Sequence, residues 1–235
     1  MEKPVFVALD VANQTEAETL LQQLGKPQQT AVKVGMELFY HLGNSFVEYL
    51  TQQGYQVFLD LKLHDIPNTV YHGAKQLAAL GIQYTTVHAL GGSEMIKATK
   101  DGLIDGTAQG QAVPKLLAVT ELTSISDEVL QNEQNCRLPM KAQVISLAKT
   151  AKKAGADGVI CSPLEVQALR EQVGDDFLYI TPGIRLSQNN HDDQTRIATP
   201  AKAKTWGASG LVVGRPITQA SNPSDVYQLI KKEFN

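Results

Sequence analysis

The chain has 235 residues, 43% of them hydrophobic and 19% charged, and 21 basic against 24 acidic residues give a formal net charge of −3. A chain of this length can bury a large core without disulfide or metal staples, and its mixed charge leaves no basic footprint for nucleic acid or an anionic membrane surface. The two cysteines, Cys136 and Cys161, form no CxxC pair and suit a reducing cytoplasm, so neither a disulfide framework nor a zinc site is expected.

Residues 1–4 run directly into an apolar stretch at 5–9, which has a strand's length rather than a signal peptide's. No later stretch reaches the roughly 18 apolar residues that a membrane span needs. Residues 15–24 place Ala17, Leu20, Leu21 and Leu24 on one helical face. Strands are expected at 31–34 and 56–59. A helix over 68–80 follows, with Val70, Ala74, Leu77 and Ala78 on its apolar side. Further strands are expected at 84–88 and 116–119, a short helix at 127–131, and a helix at 142–154. The pattern then gives a strand at 158–161, a helix at 164–172, strands at 178–181 and 211–213, and a closing helix over 223–235. Gly81, Gly155 and Gly207 stand where helices should stop, as the residue that enters the left-handed region most easily.

Eight short apolar runs alternating with helical segments demand a parallel sheet with right-handed crossovers. That count and length fit a (β/α)8 TIM barrel forming a single domain over 1–235. A doubly wound open sheet would use fewer strands, and its GxGxxG turn is missing after the first strand. Two connections, 120–141 and 186–199, are too long for plain turns. They follow the fifth and seventh strands, at the barrel end that usually carries function, although surface excursions would look the same.

The densest polar cluster is Asp60-Leu61-Lys62-Leu63-His64-Asp65-Ile66-Pro67-Asn68-Thr69. Strand periodicity sets Asp60, Lys62 and His64 on one face and Leu59, Leu61 and Leu63 on the other, so the charges should point into the barrel near its mouth. At ~4 Å and an effective dielectric of ~20, an Asp–Lys contact returns ~4 kcal/mol, enough to offset part of their desolvation. The plain alternative is a buried ion pair plugging the barrel, with Asp65 capping the next helix and His64 serving as a structural hydrogen-bonder. Other strand ends add Asp10, Lys33, Thr123, Ser124, Pro182, Gly183, Arg185, Gly214 and Arg215. A Gly-Arg pair after the eighth strand, beside Arg185, offers a backbone N–H and guanidinium forks to a phosphate. Either arginine alone could equally be a surface ion-pair partner.

The ten-residue stretch from Asp60 to Thr69 closely resembles the signature of the orotidine 5′-phosphate decarboxylases. Val7-Ala8-Leu9-Asp10, Val32-Lys33-Val34-Gly35, Thr120-Glu121-Leu122-Thr123-Ser124, Thr181-Pro182-Gly183-Ile184-Arg185 and Val213-Gly214-Arg215 resemble the family's other blocks, in order, in its compact bacterial form. The resemblance implies cofactor-free and metal-free loss of CO2 from orotidine 5′-monophosphate to give UMP, the last step of de novo pyrimidine synthesis. It implies a cytoplasmic homodimer with active sites at the interface and no nucleic-acid or membrane partner. By position, Lys33, Asp60 and Lys62 would form a charged network with Asp65 from the second chain, and Thr69 would also reach across. Lys62 would stabilise the C6 carbanion and donate the proton. Asp10 and Lys33 would hold ribose hydroxyls, Thr123 the pyrimidine edge and Pro182 the base pocket. Arg185, Gln194, Arg215 and the Gly214 backbone would hold phosphate, with the polar loop around Gln194 as a lid.

Related barrels that decarboxylate keto-gulonate phosphate or make hexulose phosphate share D-x-K-x-x-D on the third strand. They resemble Mg²⁺ enzymes with an acid at the second-strand position, where this chain has the cation Lys33. A non-catalytic nucleotide-binding barrel would keep Arg185 and Arg215 without needing Lys62 between two aspartates.

Overall fold

The short apolar runs become eight parallel strands. β1 (Val5–Ala8), β2 (Ala31–Gly35), β3 (Gln56–Leu63), β4 (Tyr84–His88), β5 (Lys115–Val119), β6 (Gly158–Ile160), β7 (Leu178–Thr181) and β8 (Gly210–Val213) pair in chain order. β8 then pairs with β1 and closes the barrel. The computed structural model describes residues 2–186 and 196–235. Gln194, expected at the phosphate, lies outside the described residues.

Ten α-helices are seen among the described residues: α1 (Gln14–Leu24), α2 (Met36–Gln53), α3 (Pro67–Ala78), α4 (Gly92–Gly106), α5 (Asp127–Asn132), α6 (Met140–Lys153), α7 (Val166–Val173), α8 (Pro200–Thr205), α9 (Arg215–Thr218) and α10 (Pro223–Phe234). The expected (β/α)8 barrel is therefore the architecture found. None of these helices is long and apolar enough to cross a membrane.

Two long helices, α2 and α4, escape the apolar-stripe reading for physical reasons. In α2 the stripe of Leu38, Phe46, Val47 and Leu50 is thrown out of phase at Gly43, whose φ of 67° breaks the helix. In α4, small residues face α3. A Cβ on Gly102 or Gly106 would lie 2.2 Å from the Tyr71 or Lys75 carbonyl oxygen, so the close helix pairing requires glycine there.

The core has two parts. Between the sheet and the helices lies the larger one, with Leu9, Leu38, Leu50, Leu59, Met95, Val159 and Tyr227 fully buried. Inside the barrel sit Phe6, Ala8, Ala31, Phe58, Leu117, Ile180 and Val212. Phe6 meets Phe58 edge-on at 5.3 Å and Tyr84 at 5.1 Å. Each such ring contact adds about 0.5–1.5 kcal/mol beyond area burial. This apolar plug fills the lower barrel, so the polar groups at the strand ends gather at the C-terminal mouth.

Candidate active site

β3 is the element that defines the site. Sequence periodicity ends it at Leu59, but it runs four residues further, to Leu63, through the charged segment. It does so with a distortion: Lys62 has a left-handed backbone (φ 51°), and the register against β4 shifts between Leu59 and Leu63. Strict alternation therefore does not explain the shared face of Asp60 and Lys62. His64 lies beyond the strand, exposed, with its ring 5.2 Å from that of His88. Asp65 does not cap α3. Ile66 occupies the N-cap position, Pro67 opens the helix, and the Asp65 carboxylate instead accepts the Ile66 N–H at 2.7 Å.

At the mouth is a pocket of about 390 Å³ whose floor is Ala8, Phe58, Ile160 and Val212, the upper surface of the barrel plug. Its walls bring together Asp10 from β1, Lys33 from β2, Asp60 and Lys62 from β3, and Thr123 and Ser124 after β5. Pro182, Gly183 and Arg185 follow β7, and Gly214 and Arg215 follow β8. Eleven of the residues singled out in the sequence thus share one cavity. Asp65 and Thr69 do not; both are solvent-exposed in this single chain and neither lines the pocket.

The charged groups form a graded row. Lys33 Nζ lies 3.1 Å from Asp10 Oδ1 and 3.8 Å from Asp60 Oδ2, and Lys62 Nζ donates to the same Asp60 Oδ2 at 2.8 Å. Lys33 and Asp60 are nearly buried, whereas the Lys62 side chain retains 27% of its exposure and faces open pocket. Gly35 lets the ammonium of Lys33 fold back, since a Cβ there would stand 3.0 Å from its Nζ. The described lining carries four cations (Lys33, Lys62, Arg185, Arg215) against three carboxylates (Asp10, Asp60, Glu121). Such a cavity suits a small anion with several polar groups.

Sequence reasoning missed several supporting residues. Thr86, buried on β4, donates from its hydroxyl to Asp60 Oδ1 at 2.9 Å and accepts the Lys62 N–H at 2.8 Å. Two adjacent threonines in a buried strand need partners, and that was the available signal. Arg196 pairs with the buried Glu165 and donates to the Leu122 carbonyl at 2.8 Å, tying the residues after β7 to the turn that carries Thr123. Burial pushes the Glu165 carboxyl up, while the Arg196 guanidinium and the Ser162 N–H pull it back. Backbone bonds from the Arg185 N–H to the Ala198 carbonyl and from the Ala198 N–H to the Gly183 carbonyl hold the two sides of the β7–α8 connection together. Cys161 also lines the pocket, but burial pushes its thiol well up, so it is a wall and not a nucleophile. Burial, with help from His64 and Lys62, holds His88 below the usual histidine range.

Comparison with known proteins identifies the family. Residues 3–230 match the model of the orotidine 5′-phosphate decarboxylase / HUMPS family. The chain is 67% identical to the orotidine 5′-phosphate decarboxylase of Lactobacillus acidophilus and 66% identical to that of Lactobacillus gasseri, each over the full length of both chains. A crystal structure of the L. acidophilus protein superimposes with a TM-score of 0.92 at 65% identity, covering 99% of each chain.

Proposed function

Because the chain belongs to the orotidine 5′-phosphate decarboxylase / HUMPS family, we propose that it converts orotidine 5′-monophosphate to UMP and CO2, in the cytoplasm, as the last step of pyrimidine nucleotide synthesis. The observation that carries this reading is the Lys62 ammonium, fixed 2.8 Å from Asp60 with Lys33 behind, at the open end of the charged row. Breaking the C6–carboxylate bond leaves its electron pair in the ring plane, where the pyrimidine π system cannot spread it. A preorganised cation at C6 stabilises that charge as it develops. The Lys62 Nζ–H then delivers a proton to C6, giving UMP, and solvent restores the lost proton.

The remaining residues position the substrate. Asp10 and Lys33 hold ribose hydroxyls, Thr123 and Pro182 bind the base, and Arg185, Arg215 and the Gly214 N–H hold phosphate. Phosphate binding acts far from C6, so it serves by orienting the ring against Lys62. Among the family's chemistries, Lys33 argues for this one, because an Mg²⁺ enzyme needs an oxygen ligand where this chain places an ammonium ion-paired to Asp10 and Asp60.

The working unit in this reading is a homodimer in which Asp65 and Thr69 enter the site of the other copy. Their exposure in the single chain supports this, as does the apolar surface around them. Met36, Tyr40, Ile66 and Leu90 are exposed after the C-terminal ends of β2, β3 and β4, and Ile66 alone is 67% exposed. Grouped apolar exposure at adjacent strand ends marks an interface.

The test is ultraviolet-monitored decarboxylation of orotidine 5′-monophosphate by purified protein with EDTA present. Conversion to UMP at an undiminished rate is expected. Tight UMP binding without turnover would support a nucleotide-binding role instead, and turnover abolished by EDTA would point to the Mg²⁺ chemistry.

A further inference from the structure

β3 and β4 fall out of step at the mouth of the barrel. Leu59 lies opposite Thr85 and Leu63 opposite Val87, so four steps along β3 match two along β4. The two surplus residues are accommodated in the stretch that carries Asp60 and Lys62, and Lys62 takes the left-handed backbone conformation there. A side chain in that region is strained and persists only where its surroundings fix it. A bulge also takes backbone groups out of the regular ladder, and these need other partners when buried.

The partner is a side chain. Thr86 is fully buried, and its single hydroxyl serves both features. It accepts the Lys62 N–H at 2.8 Å and donates its proton to Asp60 Oδ1 at 2.9 Å, which uses one donor and one lone pair of the group. With Oδ1 engaged, Oδ2 is the oxygen turned to Lys62 Nζ at 2.8 Å and Lys33 Nζ at 3.8 Å. Branching at Cβ limits the rotamers of Thr86, so the hydroxyl is held rather than searching.

We propose that Thr86 is a positioning residue for the decarboxylation: one hydroxyl clamps the strained Lys62 backbone and selects the Asp60 oxygen that faces the lysines. The inference rests on the function proposed above, but its structural half does not depend on it. Thr86 need not touch substrate, so its loss changes the chemical step rather than binding.

Thr86→Val keeps the shape and removes the hydroxyl, and Thr86→Ser keeps the hydroxyl and loses a methyl. Thr86→Ala takes the place of the valine variant if that one does not fold. Steady-state kinetics on orotidine 5′-monophosphate should show kcat reduced about tenfold or more in Thr86→Val, KM within about threefold of wild type, and Thr86→Ser within about threefold in both. Hydrogen–deuterium exchange of peptides spanning residues 60–64 should be faster in Thr86→Val and unchanged in Thr86→Ser. An unchanged kcat in Thr86→Val, a loss confined to KM, or equal losses in the two variants would overturn the proposal. If wild-type protein fails to decarboxylate the nucleotide, the functional reading falls by itself. The exchange comparison then still decides the clamp, since unaltered exchange in Thr86→Val refutes it.

Discussion

Asp60 and Lys62 touch through their side chains at 2.8 Å, although they stand only two residues apart on one strand. In a regular strand such residues project side by side from Cα atoms roughly 7 Å apart. Here the left-handed backbone of Lys62 turns its ammonium back onto Asp60. Lys33 approaches the same oxygen from β2 and is itself held by Asp10. The row Asp10–Lys33–Asp60–Lys62 alternates in sign and ends on its more exposed cation. The row thus presents a carboxylate, Asp10, at one end and an ammonium, Lys62, at the other, both lining the pocket, with the nearly buried Lys33 and Asp60 between them.

That arrangement makes Lys62→Ala the sharpest mutation. In the proposed mechanism it removes the cation at C6 and the proton donor together, so kcat should fall by at least ~10³ while UMP binding, assigned to the phosphate and ribose contacts, is retained. Stopped-flow or long-time turnover assays alongside UMP titration check both halves. A loss of less than tenfold would remove Lys62 from its assigned role.

A shared site can be tested by mixing. If Asp65 of the partner subunit completes each pocket, Lys62→Ala and Asp65→Ala homodimers are each inactive, but a hybrid contains one intact site. Random reassortment makes half the dimers hybrid, so the mixture should recover about a quarter of wild-type activity. Activity that stays at the level of the separate variants after subunit exchange would place Asp65 outside the reaction.

Much of this was readable from sequence because the fold and the chemistry are written in different alphabets. Runs such as Val5–Ala8 and Gly210–Val213 are apolar on both faces, which only a covered parallel strand requires. Charged residues immediately following such runs had to emerge at the barrel mouth. Gly81, Gly155 and Gly207 do adopt φ values of 73°, 93° and 88°, as helix stops should. What was not readable is what depends on tertiary neighbours. The stripe of α2 is broken by the kink at Gly43, and α4, although it buries Met95, Ile96 and Leu103, meets α3 through Gly102 and Gly106, which an apolar count passes over. The bulge at Lys62 needs the register of β4 to be known, so Thr86 could not be assigned from a period-2 pattern. Arg196 and Glu165 lie 31 residues apart and meet only because β6 and β7 are neighbours.

The base of the barrel offers a pH-dependent contrast. Burial pushes the Asp157 carboxyl up, but hydrogen bonds from Lys100, the Leu116 N–H and Lys115 outweigh it and hold the group below its ordinary 3.8. A carboxyl depressed in the folded state contributes stability that is present above the unfolded pKa and lost as pH falls through the folded one. Asp157→Asn should therefore destabilise the protein at pH 7, by about 2 kcal/mol for lost charge-assisted hydrogen bonds. The difference from wild type should shrink below pH 4. Urea unfolding at pH 7 and pH 3 measures it. A difference that is constant with pH would show that the ionised carboxylate is not what matters.

Arg215 tests the phosphate end separately from the chemistry. It follows Gly214 at the end of β8 and lines the pocket with Arg185. Arg215→Ala should weaken UMP by about 2–3 kcal/mol, the scale of a lost charge-assisted contact, and leave uridine binding nearly unchanged. For turnover, KM for orotidine 5′-monophosphate should rise, with a smaller fall in kcat, because the ring is less firmly held against Lys62. Calorimetric titration with UMP and uridine separates the cases. Equal weakening of both ligands would mean that Arg215 braces the pocket as a whole and that the phosphate lies elsewhere.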